Sequence, residues 1–408
     1  MSKKKSTFLS VAFVLAAVSM LCQNVATQML NTTLSPFANY LWQSKTMGGL
    51  LTSFFNIGSI VMAFLSGPLI ERLGKRKSIF LFSLLYGFAT LLFVFMPKEG
   101  VSLFARVLQG IAKGVVTVAC ASVVAEVTPD ENMNEGMGIY GLGNTLSMAF
   151  GPMIALNLIG TENNYSAMFL ACAAFAACGA LFGAGIRYTP KKTEKAEVRS
   201  EEYHGVWKLI EKNALPAGIN YTIFFASFAC VLVFSTVYAQ EILGLSANQI
   251  SSFYMVAAAT MFVVRLFAGK IADRHGELTM IIPGHLCIIA LLLLLTYGCK
   301  GEATYPMFLF CGALYGIGNA TVQPALNSIA IVDSPAERSS IANATFYFLM
   351  DFGILFSSSV FGQVIDKAAT PMQGYTVTYL ASVGINLLSL FLAVTFMSRK
   401  ARRKRSAK

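Results

Sequence analysis

The sequence predicts an all-α membrane protein with twelve transmembrane helices in two pseudo-symmetric six-helix bundles. Of its 408 residues, 55% are hydrophobic and 12% are charged, whereas soluble domains carry about 25% charged residues. Apolar runs of about 20 residues, the length that a helix needs to cross the hydrocarbon core, recur along the chain. A short segment that begins at Gly67 is nearly repeated at Gly269, about half a chain length later. Such a repeat indicates a duplicated bundle.

Twelve apolar runs give the predicted helices, and the placement of basic residues supports this number. With the N-terminus in the cytoplasm, 24 of the 31 lysines and arginines fall on inner segments, four fall in outer loops and three lie within helices. The positive-inside rule predicts this asymmetry. We therefore expect both termini on the cytoplasmic side of the inner or plasma membrane. The runs lie near residues 8–30, 47–70, 78–97, 101–126, 136–159, 165–186, 215–240, 247–271, 279–299, 304–331, 339–365 and 372–397.

The longest polar interruption divides the chain. We expect an N-terminal six-helix bundle at 1–187, a cytoplasmic linker with an amphipathic surface segment at 188–213, a C-terminal six-helix bundle at 214–398 and a basic cytoplasmic tail at 399–408. The tail is expected to lie against anionic membrane lipid, so the net charge of +11 needs no nucleic-acid partner. Nothing in the sequence requires an oligomer, and a monomer is predicted.

The chain resembles the major facilitator superfamily over essentially its whole length, and three motifs carry this resemblance. The first is the repeated loop, in which Glu71 stands where the family usually has Asp. The second is the segment from Arg106 to Gly110 in helix 4, and the third is Gly151-Pro152 in helix 5, which is similar to an element of drug:proton antiporters. The resemblance implies two bundles around a central path that helices 1, 4, 7 and 10 surround. The two copies of the loop comprise Gly67, Glu71, Arg72 and Gly74, and Gly269, Asp273, Arg274 and Gly276.

The repeated loop predicts a conformational latch. Its glycines permit close approach of a neighbouring helix, and the carboxylates of Glu71 and Asp273 can meet cations or a helix N-terminus. These contacts are expected to form when the cytoplasmic side is closed and to break when it opens. The alternative interpretation is a tight turn whose charges only fix the topology.

Polar stripes on helices 1, 4, 7 and 10 predict a substrate cavity. On helix 4, Arg106, Gln109 and Lys113 recur at spacings of three and four, which places them on one helix face. A charged side chain at the bilayer centre costs about 2.5–3.5 kcal/mol on insertion scales, and such residues usually serve function. The alternative is hydrogen bonding between helices. The predicted cavity residues are Asn24, Gln28, Arg106, Gln109, Lys113, Asn220, Tyr315, Asn319 and Gln323.

Asp351 in helix 11 is the acid predicted deepest in the membrane, and Arg265 in helix 8 is its predicted partner. Two interpretations stay open: a proton carrier whose pKa responds to the approach of Arg265, or a permanent neutralising pair. The three histidines do not cluster in the sequence, so no metal is predicted. No cofactor motif, phosphate-binding loop or catalytic constellation is found, which argues against an enzyme.

These features predict a secondary active transporter that exports a small organic molecule, drug-like or metabolic, by proton-coupled alternating access. Gly151-Pro152 favours export, and Arg106 with Lys113 favours a neutral or anionic substrate. The alternative is an uptake symporter for a sugar or organic anion. A receptor or scaffold that keeps the fold without transport is a further alternative.

Overall fold

The computed structural model describes residues 10–129, 133–160, 162–188, 209–299, 304–335 and 338–406, and within them it contains twelve α-helices and no β-strand. A 3₁₀ turn at Lys212–Ala214 precedes α7, and a π-helical turn at Leu294–Gly298 extends α9. The helices are α1 Val11–Trp42, α2 Lys45–Leu73, α3 Lys75–Phe95, α4 Glu99–Val127, α5 Met133–Ile159, α6 Tyr165–Gly185, α7 Leu215–Glu241, α8 Ala247–His275, α9 Leu278–Leu293, α10 Thr304–Val332, α11 Ser339–Lys367 and α12 Pro371–Ser406.

Most of these helices suit a bilayer. In the described part of the chain, ten are long and apolar enough to span a membrane, and α2, bent by 64° between its segments Lys45–Met62 and Leu65–Leu73, brings the number to eleven. In α10, Asn319, Gln323 and Asn327 interrupt the apolar sequence. The protein is therefore an all-α, multi-pass membrane protein, as predicted. Below, "outer" denotes the side that holds the α1–α2 turn and "inner" the side that holds the α2–α3 turn.

Two predicted helix ends were wrong. Helix 1 was expected to end near residue 30, but α1 continues to Trp42 through Pro36. This extension is buried, with Thr33 and Ala38 fully inaccessible, so tertiary packing overrides its weak local helix preference. At the other end of the chain, α12 continues to Ser406 through most of the predicted basic tail.

The chain forms two compact units. The N-terminal unit comprises residues 1–30 and 57–197, and the C-terminal unit comprises residues 31–56 and 198–408. The outer ends of α1 and α2 thus pack with the C-terminal helices, which local sequence patterns did not indicate. The predicted linker lies mainly outside the described residues, and the predicted domain boundaries stay predictions.

Each unit has its own packing core. In the N-terminal unit, α3 packs against α4 and α6, and a cluster of buried side chains that includes Phe13, Met62, Ile79, Val116 and Cys120 joins α1 to α4. In the C-terminal unit, α8 packs against α10, α7 against α11 and α12, and α9 against α10 and α12. Helices that bury one another in this way are positioned rigidly enough to hold polar groups in the membrane.

A buried ion pair joins the beginnings of α7 and α11 at the inner side of the C-terminal unit. Arg338 Nε lies 2.5 Å from Glu211 Oε2, and both side chains are 3% exposed. Arg338 also donates to the carbonyl oxygen of Ile210 at 3.0 Å, while the Glu211 amide donates to Thr345 Oγ1 at 2.9 Å. The segment that precedes α7 is therefore fixed to the first two turns of α11.

Candidate substrate site

The polar stripe of α4 lies inside the N-terminal unit. Arg106 is 0% exposed, and its Nη1 donates to Gln109 Oε1 at 2.8 Å. Gln109 Nε2 donates to Thr90 Oγ1 of α3 at 2.9 Å. Lys113 Nζ donates to Asn24 Oδ1 of α1. Four of the five predicted cavity residues of this unit thus form two short networks, one around the buried Arg106 and one around the half-buried Lys113.

Two residues of α3 belong to the same polar region but were missed by the sequence prediction. Tyr86 is 0% exposed and donates to Thr27 Oγ1 of α1 at 3.2 Å. Thr90, one turn further along α3, accepts the bond from Gln109. Tyr86 and Thr90 are four residues apart, which could have predicted a shared polar face. The rest of the α3 sequence is mostly apolar, so this pattern was not noticed.

The Gly151-Pro152 element of α5 lies against α1. A Cβ atom added to Gly151 would lie 2.6 Å from Gln28 Cβ and 3.2 Å from the Val25 carbonyl oxygen. The absence of a side chain therefore lets α5 approach α1 at the turn that carries Gln28, the fifth predicted cavity residue of this unit. The motif thus has a packing role next to a predicted cavity residue.

In the C-terminal unit, the predicted residues of α10 do not all face the same neighbours. Tyr315 is 1% exposed, and its ring lies 4.6 Å from Phe228 and 5.8 Å from Phe253 between centroids. Gln323 Oε1 accepts a bond of 3.4 Å from Arg265 Nη2. Asn319, which lies between Tyr315 and Gln323 along α10, is half-buried.

Asn220 of α7 is engaged with α12. Its Nδ2 donates to the Ser389 carbonyl oxygen at 2.9 Å, and its Oδ1 accepts from Ser389 Oγ at 3.2 Å. These bonds match the alternative interpretation of the polar stripes, in which a polar side chain joins two helices.

Arg265 and Asp351 both lie in the C-terminal unit, where Asp351 is half-buried in α11. Arg265 donates a hydrogen bond to Gln323 of α10, and its guanidinium lies within electrostatic range of the hydroxyls of Tyr347 and Tyr221. The pairing of Arg265 with Asp351 stays a prediction.

The two copies of the repeated loop share one backbone geometry. Gly74 and Gly276 have φ values of +81° and +87°, in a region that L side chains rarely adopt. Each amide donates at 2.8 Å to the carbonyl oxygen four residues earlier, Ile70 and Ala272 respectively. Glu71, Arg72 and Arg274 are exposed. Gly269 and Asp273 belong to α8, and their side-chain surroundings lie outside the described part of the structure.

Gly67, Glu71 and Gly74 line a cavity of about 860 Å³ at the inner end of the N-terminal unit. Its wall holds an ion pair between Lys75 and Glu126, and Tyr188 donates to Glu126 Oε2 at 2.6 Å. Burial and then the Glu126 carboxylate raise the pKa of the Tyr188 hydroxyl above its ordinary value. This cavity places the α2 copy of the repeated loop beside ionised groups of α3 and α4.

A third polar cluster lies at the outer end of the C-terminal unit and was not predicted. The Asp366 carboxylate of α11 accepts bonds from the backbone amides of Lys45 at 2.9 Å and Thr46 at 2.7 Å, and from Ser44 Oγ at 3.1 Å. It thereby caps the N-terminus of α2. Lys45 Nζ forms an ion pair of 2.9 Å with Glu241 of α7. In the described residues, no group of three His, Cys, Asp or Glu side chains lies close enough to hold a metal ion.

Long apolar helices that hold arginine, lysine and amide side chains within them are typical of a multi-pass membrane protein with a functional polar interior. A sequence model of the Major Facilitator Superfamily matches residues 16–358, and the chain belongs to this family. The resemblance drawn from its loop and helix motifs is thus confirmed, and its relatives are transporters rather than enzymes.

Individual relatives are distant but match along most of their length. The chain is similar to the staphylopine export protein of Staphylococcus aureus, with 21% identity over 349 residues that cover 84% of this chain and 86% of that protein. It is similar to an uncharacterized MFS-type transporter of Methanocaldococcus jannaschii, with 22% identity covering 86% and 90%. Among solved structures, the nucleoside transporter NupG superposes with a TM-score of 0.77 at 13% identity, over 93% of this chain and 98% of that one. These matches establish the major facilitator fold.

Proposed function

We propose that the protein exports a small organic molecule, neutral or anionic, in exchange for protons by alternating access. The observation that carries this proposal is the pair of cations on α4, of which Arg106 is buried and Lys113 is half-buried. Arg106 and Lys113 lie two turns apart on one helix face. The ammonium group of Lys113 donates a hydrogen bond to the neutral amide oxygen of Asn24. An anionic substrate group supplies the charge partner that such a lysine favours.

Two further observations support export. Gly151 sits against the turn of α1 that holds Gln28, and Gly151-Pro152 resembles the element of proton-driven antiporters. A relative that spans most of the chain is named as a staphylopine exporter. We infer from the charge distribution that both termini lie in the cytoplasm of a cell membrane, with the basic tail against anionic lipid, and that the protein acts as a monomer of two six-helix bundles at 1–187 and 214–398.

Purified protein in liposomes tests this function. Vesicles with an acidic interior and a trapped pH-sensitive dye are given a panel of organic anions and neutral amphipathic compounds. An exchanger releases internal protons when a transported compound enters, so the dye reports a rise of internal pH that protein-free vesicles do not show. A compound that instead carries protons inward, and that supports growth of expressing cells, identifies the uptake symporter. Absence of any proton movement across the panel argues for the receptor or scaffold.

The latch role of the repeated loop gives a prediction for Glu71→Lys. Reversal of this charge is expected to slow transport about tenfold, because one lost charge-assisted contact is worth about 1.5 kcal/mol, while the amount of protein in the membrane stays unchanged. Glu99→Lys, the same change at an exposed position of the outer end of α4, is the matched control. Equal rates for wild type and Glu71→Lys contradict the latch.

A proton role for Asp351 gives a second prediction. In Asp351→Asn the side chain keeps its size but cannot release a proton, so the protein is expected to equilibrate substrate without concentrating it. Asp351→Glu is expected to retain concentrative transport. If Asp351→Asn still builds a substrate gradient from a pH gradient, the residue is only a structural partner.

A further inference from the structure

A continuous polar face of α12 is buried inside the C-terminal unit, away from the predicted cavity residues of α10. Apart from one adjacent pair, its members recur every three or four residues, as one face of a helix requires, and each is at most 1% exposed. At about 1.5 Å per residue the face is about 21 Å long, against about 30 Å for the hydrocarbon core. The residues are Tyr375, Thr378, Tyr379, Ser382, Asn386 and Ser389.

The inner part of this face is closed by direct hydrogen bonds. Ser389 pairs with Asn220 of α7. One turn outward, Asn386 Nδ2 donates to Ser227 Oγ of α7 at 2.9 Å, and Asn386 Oδ1 lies 2.9 Å from Nδ1 of His285 of α9. Each of these amides has its partners, so the inner half of the face is a sealed contact between three helices.

The outer part of the face is different, because two of its buried hydroxyl groups have no hydrogen-bond partner among the described residues. Thr378 Oγ1, Tyr379 Oη and His285 Nε2 are buried and have no hydrogen-bond partner among the described residues, whereas the Ser382 hydroxyl bonds with the thiol of Cys230 on α7. Burial of a polar group without a partner is costly, and native proteins satisfy such groups with ordered water. Three such groups on two helices that pack together, α9 and α12, indicate ordered water in the seam between them.

The seam has an ionised group at its outer end. Tyr375 donates to Glu241 Oε2 at 3.3 Å, and the side chain of Glu241 is 28% exposed. The ring of Tyr238 lies 5.0 Å from Tyr375 and 5.2 Å from Tyr379, edge-on to both. These aromatic rings form the wall of the seam, and the carboxylate gives it contact with solvent.

We propose that α7, α9 and α12 hold a chain of ordered water that conducts protons between Glu241 at the outer end and His285 in the interior. Water that bonds Tyr375, Tyr379 and Ser382 in turn reaches His285 Nε2, while Nδ1 stays bonded to Asn386. His285 thereby exchanges protons with the outer solvent although it is 0% exposed. The bonded amides of Asn386 and Asn220 stop the chain before the inner side, so the route is a half-channel.

The helices around His285 carry several other titratable groups. They include Tyr221, Cys230, Tyr238 and Glu241 on α7, Cys311 and Tyr315 on α10, and Tyr375 and Tyr379 on α12. From α10, Thr321 and Val322 contact the turn of α9 at Gly284. From α8, Arg265 is bonded to Gln323. The ring of Phe224 lies edge-on to the imidazole at 4.9 Å.

Deuterium exchange at the C2 carbon of histidine tests this proposal, because it requires water and its ions at the ring. Full-length protein in nanodiscs is incubated in D₂O, and each histidine is read in its own peptide by mass spectrometry. The exposed His275 is the internal reference. His285 is expected to exchange within about tenfold of His275, as a hydrated group does.

Ser382→Leu is expected to slow exchange at His285 by at least about tenfold, because the larger side chain fills the seam. His275 should be unaffected in the same sample. Ala381→Leu, which adds similar bulk at the adjacent exposed position, is the matched control and should leave both rates unchanged. If Ser382→Leu does not fold, Thr378→Val replaces it as the test variant, because valine has nearly the shape of threonine but lacks the hydroxyl group. Exchange at His285 that is equally slow in wild type and in the seam variants overturns the proposal.

Discussion

Lys113→Met is expected to reduce transport of an anionic substrate about 100-fold, since loss of one buried charge partner costs about 2–5 kcal/mol and each 1.4 kcal/mol is a factor of ten. Methionine keeps most of the length of the side chain but removes the charge and the bond to Asn24. A neutral substrate that α4 binds through other groups should be affected much less. Initial rates in proteoliposomes measure both.

Two controls separate the charge from the fold. Lys113→Arg keeps the positive charge and should retain substantial transport. Asn24→Ala removes the hydrogen-bond acceptor but leaves the lysine, so it should affect transport less than Lys113→Met. If Lys113→Met transports an anion at the wild-type rate, Lys113 serves helix packing and the proposed substrate class is wrong.

Arg338→Leu is expected to lower the free energy of unfolding by about 3–5 kcal/mol, because the carboxylate of Glu211 is then buried without its partner. Both groups are 3% exposed at 2.5 Å separation, so solvent screens their interaction little. Unfolding in detergent mixtures, followed by the loss of the monodisperse peak in size-exclusion chromatography, measures the change.

The double variant Glu211→Leu with Arg338→Leu distinguishes the ion pair from simple packing. Removal of both charges takes away the unpaired buried group, so the double variant is expected to be more stable than Arg338→Leu alone. Lys367→Leu, at the other end of α11, changes a basic residue outside any such pair. A double variant that is as unstable as the sum of the two single variants contradicts the ion-pair explanation.

Periodicity and composition predicted the helices well because a bilayer imposes length and apolarity on each one. The stripe of Arg106, Gln109 and Lys113 could be predicted because charged residues are rare in membrane helices. The buried face of α12 carried an equally regular signal from Tyr375 to Ser389, but neutral hydroxyl residues attract less notice than charges.

Local sequence patterns did not predict the contacts between residues that are far apart in the sequence. Asp366 caps a helix that begins at Lys45, and Glu211 pairs with Arg338. In neither case does the sequence around one residue indicate which residue is its partner. The extension of α1 from residue 31 to Trp42 was missed likewise, since only burial against another part of the chain stabilises a helix through Pro36.

The assignment of residues 31–56 to the C-terminal unit has a structural consequence for α1 and α2. Each helix belongs to one unit along most of its length and to the other at its outer end, so both of these unit boundaries fall inside a continuous helix. The 64° bend of α2 follows within a few residues of this crossover. The chain therefore passes from one unit to the other at these two places without an intervening loop.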